Sequence, residues 1–97
     1  MSTENSELQI DDNTADSRYT ATRDGESVGV AEYERSGGTI TFTHTVVDEE
    51  AEGQGVGSAL IQYALDEARE QKLTVVPECR FVASFISDHP EYQDLVG

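Results

Sequence analysis

Ninety-seven residues bear 20 acidic and six basic side chains, a formal net charge of −14, so one small domain is expected and nucleic acid or an anionic membrane is excluded as partner. The single cysteine, Cys79, allows no intramolecular disulfide. With no signal peptide, apolar run of membrane length or lipidation motif in the sequence, the expected compartment is the cytoplasm. Lys72 is the sole lysine, and an acidic, lysine-poor surface of this kind suits molar salt, so a halophilic setting is expected.

Residues 1–16 are polar and acidic, with Leu8 and Ile10 as the sizeable apolar side chains, and read as a disordered tail before a domain over 17–97. Arg18–Thr22 is short and β-prone, and Asp24-Gly25 is a hairpin signal. A second strand, Ser27–Arg35, alternates imperfectly, and Gly37-Gly38 marks a second hairpin. Thr39–Val47 alternates cleanly: Ile40, Phe42, His44 and Val46 fall on one face, four threonines on the other. An acidic loop, Asp48–Glu52, leads to Gly53-Gln54-Gly55-Val56-Gly57.

A helix is predicted over Val56–Gln71, with Val56, Leu60, Tyr63, Ala64 and Ala68 at helical spacing and Lys72 closing its last turn. Leu73–Val76 reads as a short buried strand that Pro77 ends. Phe81, Val82, Phe85, Ile86 and His89 then share a face of a second helix, which Pro90 stops, with His89 as its cap. The order β-β-β-α-β-α predicts an α/β (mixed α+β) domain. Three strands pair antiparallel, the helix crosses over, and the fourth strand lies parallel to the third.

Strand, loop, G-x-G-x-G and helix is an arrangement that presents unpaired backbone N–H groups to an anion, and Ser58 adds a hydroxyl. No Lys-Ser/Thr follows the last glycine, so this is not a P-loop, and the spacing is not that of the dinucleotide fingerprint. The residues alone leave a second reading open, in which the glycines serve a tight, closely packed turn. Cys79 and His44 are likewise open between chemistry and core: a lone thiol is often apolar filler, and His44 is in register with Ile40 and Phe42. One cysteine and two histidines separated by strands give no paired-ligand spacing, so no metal site is expected.

Four stretches in series are more specific. Thr43-His44-Thr45-x-Val47, Gly53-x-Gly55-Val56-Gly57-Ser58-Ala59-Leu60, Val75-Val76-Pro77-x-Cys79 and Phe85-Ile86-x-x-His89-Pro90-Glu91-Tyr92 together resemble the minimal GCN5-related N-acetyltransferase-like proteins. That resemblance implies an acetyl-CoA-dependent N-acetyltransferase, or else a non-catalytic coenzyme-binding or partner-binding domain. It implies that the pyrophosphate meets the turn Gly53, Gln54, Gly55, Val56, Gly57 and Ser58. It also implies that the pantetheine arm runs between two splayed parallel strands, along Val46 and Val47. Glu52 stands where the family pattern has Gln or Arg. Cys79 and His44 occupy family positions and are the candidate nucleophile and base, with Arg69 and Arg80 as the nearest basic residues. The chain lacks the helices that wall the acceptor site in longer members. The acceptor amine is then expected on a protein, on a polyamine-like cation, or in a site completed by a dimer; both monomer and homodimer fit. Coenzyme and protein are both anionic, so binding is expected to tighten from low to molar salt.

Overall fold

The computed structural model describes residues 8–49 and 55–96. Four consecutive strands come first: β1 (Leu8–Asn13), β2 (Arg18–Arg23), β3 (Glu26–Ser36) and β4 (Thr39–Val47). Helix α1 (Val56–Glu70) follows, then β5 (Thr74–Pro77), α2 (Arg80–Asp88) and a 3-10 segment, Pro90–Leu95. They form one sheet in the order β1-β2-β3-β4-β5. The first four strands pair antiparallel and β5 runs parallel to β4. This is the expected mixed sheet with one strand more.

That extra strand corrects the reading of Leu8–Asn13 as part of a disordered tail; residues 1–7 of that reading lie outside the described residues. Leu8–Asn13 pairs along its whole length with β2, from Leu8 opposite Arg23 to Asn13 opposite Arg18. Leu8 and Ile10 pack against the core, and Asp12 Oδ1 accepts a 2.5 Å hydrogen bond from the Tyr33 hydroxyl. Tyr33 is 4% exposed, so losing that acceptor takes from a buried hydroxyl its bond to a carboxylate. Asp12→Ala is expected to cost about 1–3 kcal/mol in urea unfolding, and to be nearly silent in a Tyr33→Phe background. Equal losses in both backgrounds would assign the effect elsewhere.

Local chemistry fixes the turns. Asp24 and Gly25 both take left-handed backbone angles, φ 55° and 83°, which a tight two-residue hairpin requires. Only one face of the sheet is buried. Tyr19, Ala21, Ala31, Tyr33, Ile40, Phe42 and Val75 join α1 residues Val56, Leu60, Ile61, Ala64, Leu65 and Ala68 in a single core. Val82, Phe85, Ile86 and Tyr92 extend it from the C-terminal elements. On α1, Leu60, Ala64 and Ala68 recur one turn apart, so their stripe meets the sheet.

Two bulges set where α1 and the reactive residues sit. Ala21 opposes Gly29 while Thr22 opposes Ser27, so Val28 is an extra residue on β3; this is the imperfect alternation seen in the sequence. A Cβ at Gly29 would lie 3.1 Å from Leu60 Cδ1 and 3.1 Å from Val56 Cγ1, so glycine there lets the first turns of α1 dock on the sheet. On the other side, Tyr33 opposes Phe42 while Glu32 opposes His44, which makes Thr43 the extra residue on β4.

The C-terminal segment is tied back onto α1. Tyr92 donates to Asp66 at 2.7 Å, and Arg69 donates to Asp94 at 3.0 and 3.1 Å and to the Glu91 carbonyl at 2.6 Å. Pro90 does end α2 as expected, but it also opens the 3-10 segment, whose first turn does not need the proline's missing N–H.

Candidate functional site: the slot where β4 and β5 part

The parallel ladder runs from Thr39 opposite Thr74 to Phe42 opposite Pro77 and stops there. One further bond, Cys79 N–H to the Phe42 carbonyl at 2.9 Å, carries the chain into α2. Beyond Phe42, β4 continues to Val47 with β3 still paired on one side. Among the described residues its other edge has no strand partner there. The Thr45 backbone is engaged with Cys79; the extended backbone beyond it is a surface suited to a linear amide-bearing ligand.

The bulge at Thr43 reverses which side chains face inward along that edge. Ile40 and Phe42 point into the core; past Thr43 it is Thr45 and Val47 that are half-buried, while His44 and Val46 are exposed. The expected face Ile40, Phe42, His44, Val46 therefore holds only as far as Phe42, and His44 is no core histidine. Its side chain is turned to the bare face of the sheet, with Nδ1 3.6 Å from Glu32 Oε1 across the strand pair.

Cys79 lies on the inner side. It is the N-cap residue of α2, 8% exposed, and its thiol donates to Thr45 Oγ1 at 3.3 Å. Burial pushes this thiol up. The Thr45 hydroxyl and the backbone N–H groups of Val82 and Phe81 at the start of α2 outweigh it and bring the thiol below its ordinary value. Among the described residues no hydrogen bond or ion pair joins Cys79 to His44; the thiol is partnered by Thr45 and the imidazole by Glu32.

The start of α1 closes the same locality. Gly55 is the N-cap, at φ 81°, and a Cβ there would meet nothing within 4 Å. No side chain caps the helix and no acidic residue stands in its first turn, although the chain has 20 of them. Among the described residues the first N–H groups of α1 have no side-chain acceptor. Gly57 is packed beneath Phe81: a Cβ there would lie 2.6 Å from the ring's Cζ. That contact brings the first turns of α1 and α2 together. Beside it, Ser58, Phe81, Ser84, Phe85, Asp88 and His89 line a cleft of about 220 Å³.

A family model described as GCN5-related N-acetyl-transferase matches residues 18–95. The chain belongs to the GCN5-related N-acetyltransferase family. The fold agrees. A GCN5-like protein from Staphylococcus aureus, known from its solution structure, is similar over 93% of this chain and 88% of its own, with 25% identity and a TM-score of 0.73. The ribosomal-protein-S18-alanine N-acetyltransferase of Escherichia coli matches at a TM-score of 0.64 with 17% identity, over 73% of this chain and 49% of its own. Nourseothricin acetyltransferase matches at 0.57 with 22% identity, over 88% and 66%. Against the Escherichia coli enzyme the chain spans about half the length. No curated protein sequence matches it.

Members of this acetyltransferase family use acetyl-CoA, and the residues present fit that ligand at two points. The uncapped N-terminus of α1, with its left-handed glycine and open approach, suits a pyrophosphate; the free β4 edge suits a pantetheine amide. Gly53 and Gln54, like Glu52, lie outside the described residues. Val56 is 1% exposed, with its side chain in the core, so only its backbone is available to a ligand. Ser58 is exposed at the cleft and Val46 along the slot. Arg69 is not near this site: it sits in the last turn of α1, at the opposite end of the helix from Gly55. Arg80 is exposed at the first position of α2. The sequence alone did not single out Thr45 or Phe81. Thr45 was hidden by the bulge; Phe81 could have been found from its spacing to Gly57 only with the helix packing in hand.

Proposed function

We propose that this protein transfers the acetyl group of acetyl-CoA to an amine, with Cys79 as the nucleophile. A single observation carries the reading: a buried thiol, held at the start of a helix and lowered toward its thiolate, stands where β4 and β5 part. Bound acetyl-CoA supplies the acetyl group as a thioester. The backbone from Gly55 to Ser58 holds the pyrophosphate, and the β4 edge along Val46 and Val47 holds the pantetheine arm. Cys79 Sγ attacks the thioester carbonyl and breaks its bond to the coenzyme sulfur, which leaves carrying the proton that Cys79 gave up. The acceptor amine then displaces Cys79 Sγ. The surplus proton of the amine passes to solvent, because His44, beside Glu32 on the bare face, does not reach the inner-side thiol. That face carries no helix, which supports an acceptor presented on a protein surface, a polyamine-like cation or a site shared with a second copy.

The test is calorimetric titration with acetyl-CoA at low and molar salt, then intact mass. Saturable binding that tightens with salt, followed by one added acetyl group that Cys79→Ala loses, is the expected result. Acetylation of amines at full rate by Cys79→Ala would remove the thiol from the mechanism. Absence of binding at either salt would reduce the α1 turn to packing.

A further inference from the structure

We propose that Thr45, rather than His44, is the positioning residue that holds the Cys79 thiol and stabilises its ionised form. The inference rests on the reading of Cys79 as the reactive group, and goes beyond it in naming what governs that group.

In an unbroken β4, every second residue after Phe42 would face inward, so His44 would stand beside the thiol and Thr45 would face away. The extra residue at Thr43 shifts that parity by one. Thr45 therefore meets Cys79 at 3.3 Å, and His44 goes to the bare face beside Glu32. The geometry is fixed from both sides. Cys79 N–H is bonded to the Phe42 carbonyl on β4, and the Cys79 carbonyl accepts from Ala83 N–H in the first turn of α2. These bonds fix the Cys79 backbone, and pairing with Ala31 on β3 fixes that of Thr45.

A threonine partner behaves differently from a histidine partner. With the thiol neutral, Cys79 donates to Thr45 Oγ1. Once the thiol proton leaves for solvent, the hydroxyl turns and donates to the thiolate, together with the N–H groups of Phe81 and Val82. The charge is stabilised by dipoles and not by a counter-ion, so thiolate formation follows a single ionisation with no second step from an imidazole. Among the described residues, Glu78 and Arg80, the chain neighbours of Cys79, are both exposed, as is His44 on β4, while Glu32 on β3 is paired with His44. The α1 residue nearest this end, Gly57, carries no side chain.

The test is the pH dependence of Cys79 alkylation by iodoacetamide in the full chain, free of coenzyme, followed by mass. The parent protein is expected to show one ionisation. Thr45→Val shifts it upward and slows alkylation at neutral pH about tenfold, the size expected for losing one hydrogen bond to a charged group. Thr45→Ser restores it, and His44→Ala leaves the profile where it was. Thr45→Val and parent profiles that superimpose, or a profile that moves with His44→Ala, would overturn the inference. If Thr45→Val does not fold, Thr45→Ala against Thr45→Ser gives the same comparison. The two readings fail separately. A profile that moves while acetyl-CoA leaves no mass on Cys79 sinks the nucleophile and keeps Thr45; an acetylated Cys79 with an unmoved profile does the reverse.

Discussion

Replacing Phe42 with alanine is expected to leave little folded protein at room temperature. Phe42 is fully buried, and its ring centroid lies 6.5 Å from that of Tyr19 and 6.4 Å from that of Tyr33, the second pair meeting edge to face. Truncating such a ring costs about 3–5 kcal/mol, in lost transfer energy plus the cavity that remains. A domain of this size has about 5–15 kcal/mol in all, and its sheet is buried on one face only, which argues for the lower end. The backbone cannot collapse freely into the gap. Phe42 is the last rung with β5, and its carbonyl accepts the Cys79 N–H. Urea unfolding followed by circular dichroism should show a midpoint near zero denaturant for Phe42→Ala, and an intermediate one for Phe42→Leu. A Phe42→Ala midpoint close to the parent's would mean that the core is held mainly elsewhere.

What the sequence made legible follows from which interactions are local. Asp24-Gly25 announced its hairpin because left-handed backbone is a property of those two residues. The α1 stripe was visible because helical spacing depends on nothing outside the helix, although Tyr63 lies at its edge, 37% exposed and against the Tyr19 ring. His89 caps α2 as expected: its Nδ1 lies 2.8 Å from the Phe85 carbonyl and its ring stacks on Phe85. β1 was missed for the opposite reason. Its composition is that of a tail, and what makes it a strand is the ladder to β2 and the Asp12–Tyr33 bond, whose partner is 21 residues away. The Thr43 bulge left no trace in the alternation of Thr39–Val47, because threonine and the residues around it suit either face. So the face that His44 takes could not be read from the alternation. The resemblance offered Cys79 and His44 as nucleophile and base; in the fold the Cys79 thiol meets Thr45.

Alkaline pH should unfold this protein well before it unfolds one without buried tyrosines. Tyr33 is pushed up to about 12 by burial, by its hydrogen bond to Asp12 and by that carboxylate's charge. Tyr92 is pushed up to about 12 by burial and by its bond to Asp66. Tyr19 is raised further still, by burial first and then by the charge of Asp12. All three are under a tenth exposed. Each phenol keeps its proton in the fold after the unfolded chain has begun to lose it near the ordinary value of 10.0. Above that value the unfolded state binds fewer protons, so stability falls as pH rises; below it the contribution is fully present. One such group removes about 1.4 kcal/mol per pH unit, and three together about 4 kcal/mol. A marginal domain has too little stability to last across two such units. Cys79 acts in the opposite sense: its folded value lies below the ordinary 9.0, so it adds stability as pH rises toward 9.0 and nothing beyond. The expected record is a urea midpoint that is flat or slightly rising up to about pH 9 and that drops steeply above about pH 10. Tyrosinate absorbance should appear together with the loss of helical dichroism. Tyr33→Phe should lessen the steepness by one proton's share. Tyrosinate absorbance that develops fully while the dichroism stays native would show that these phenols ionise inside the fold, and the linkage would then be absent.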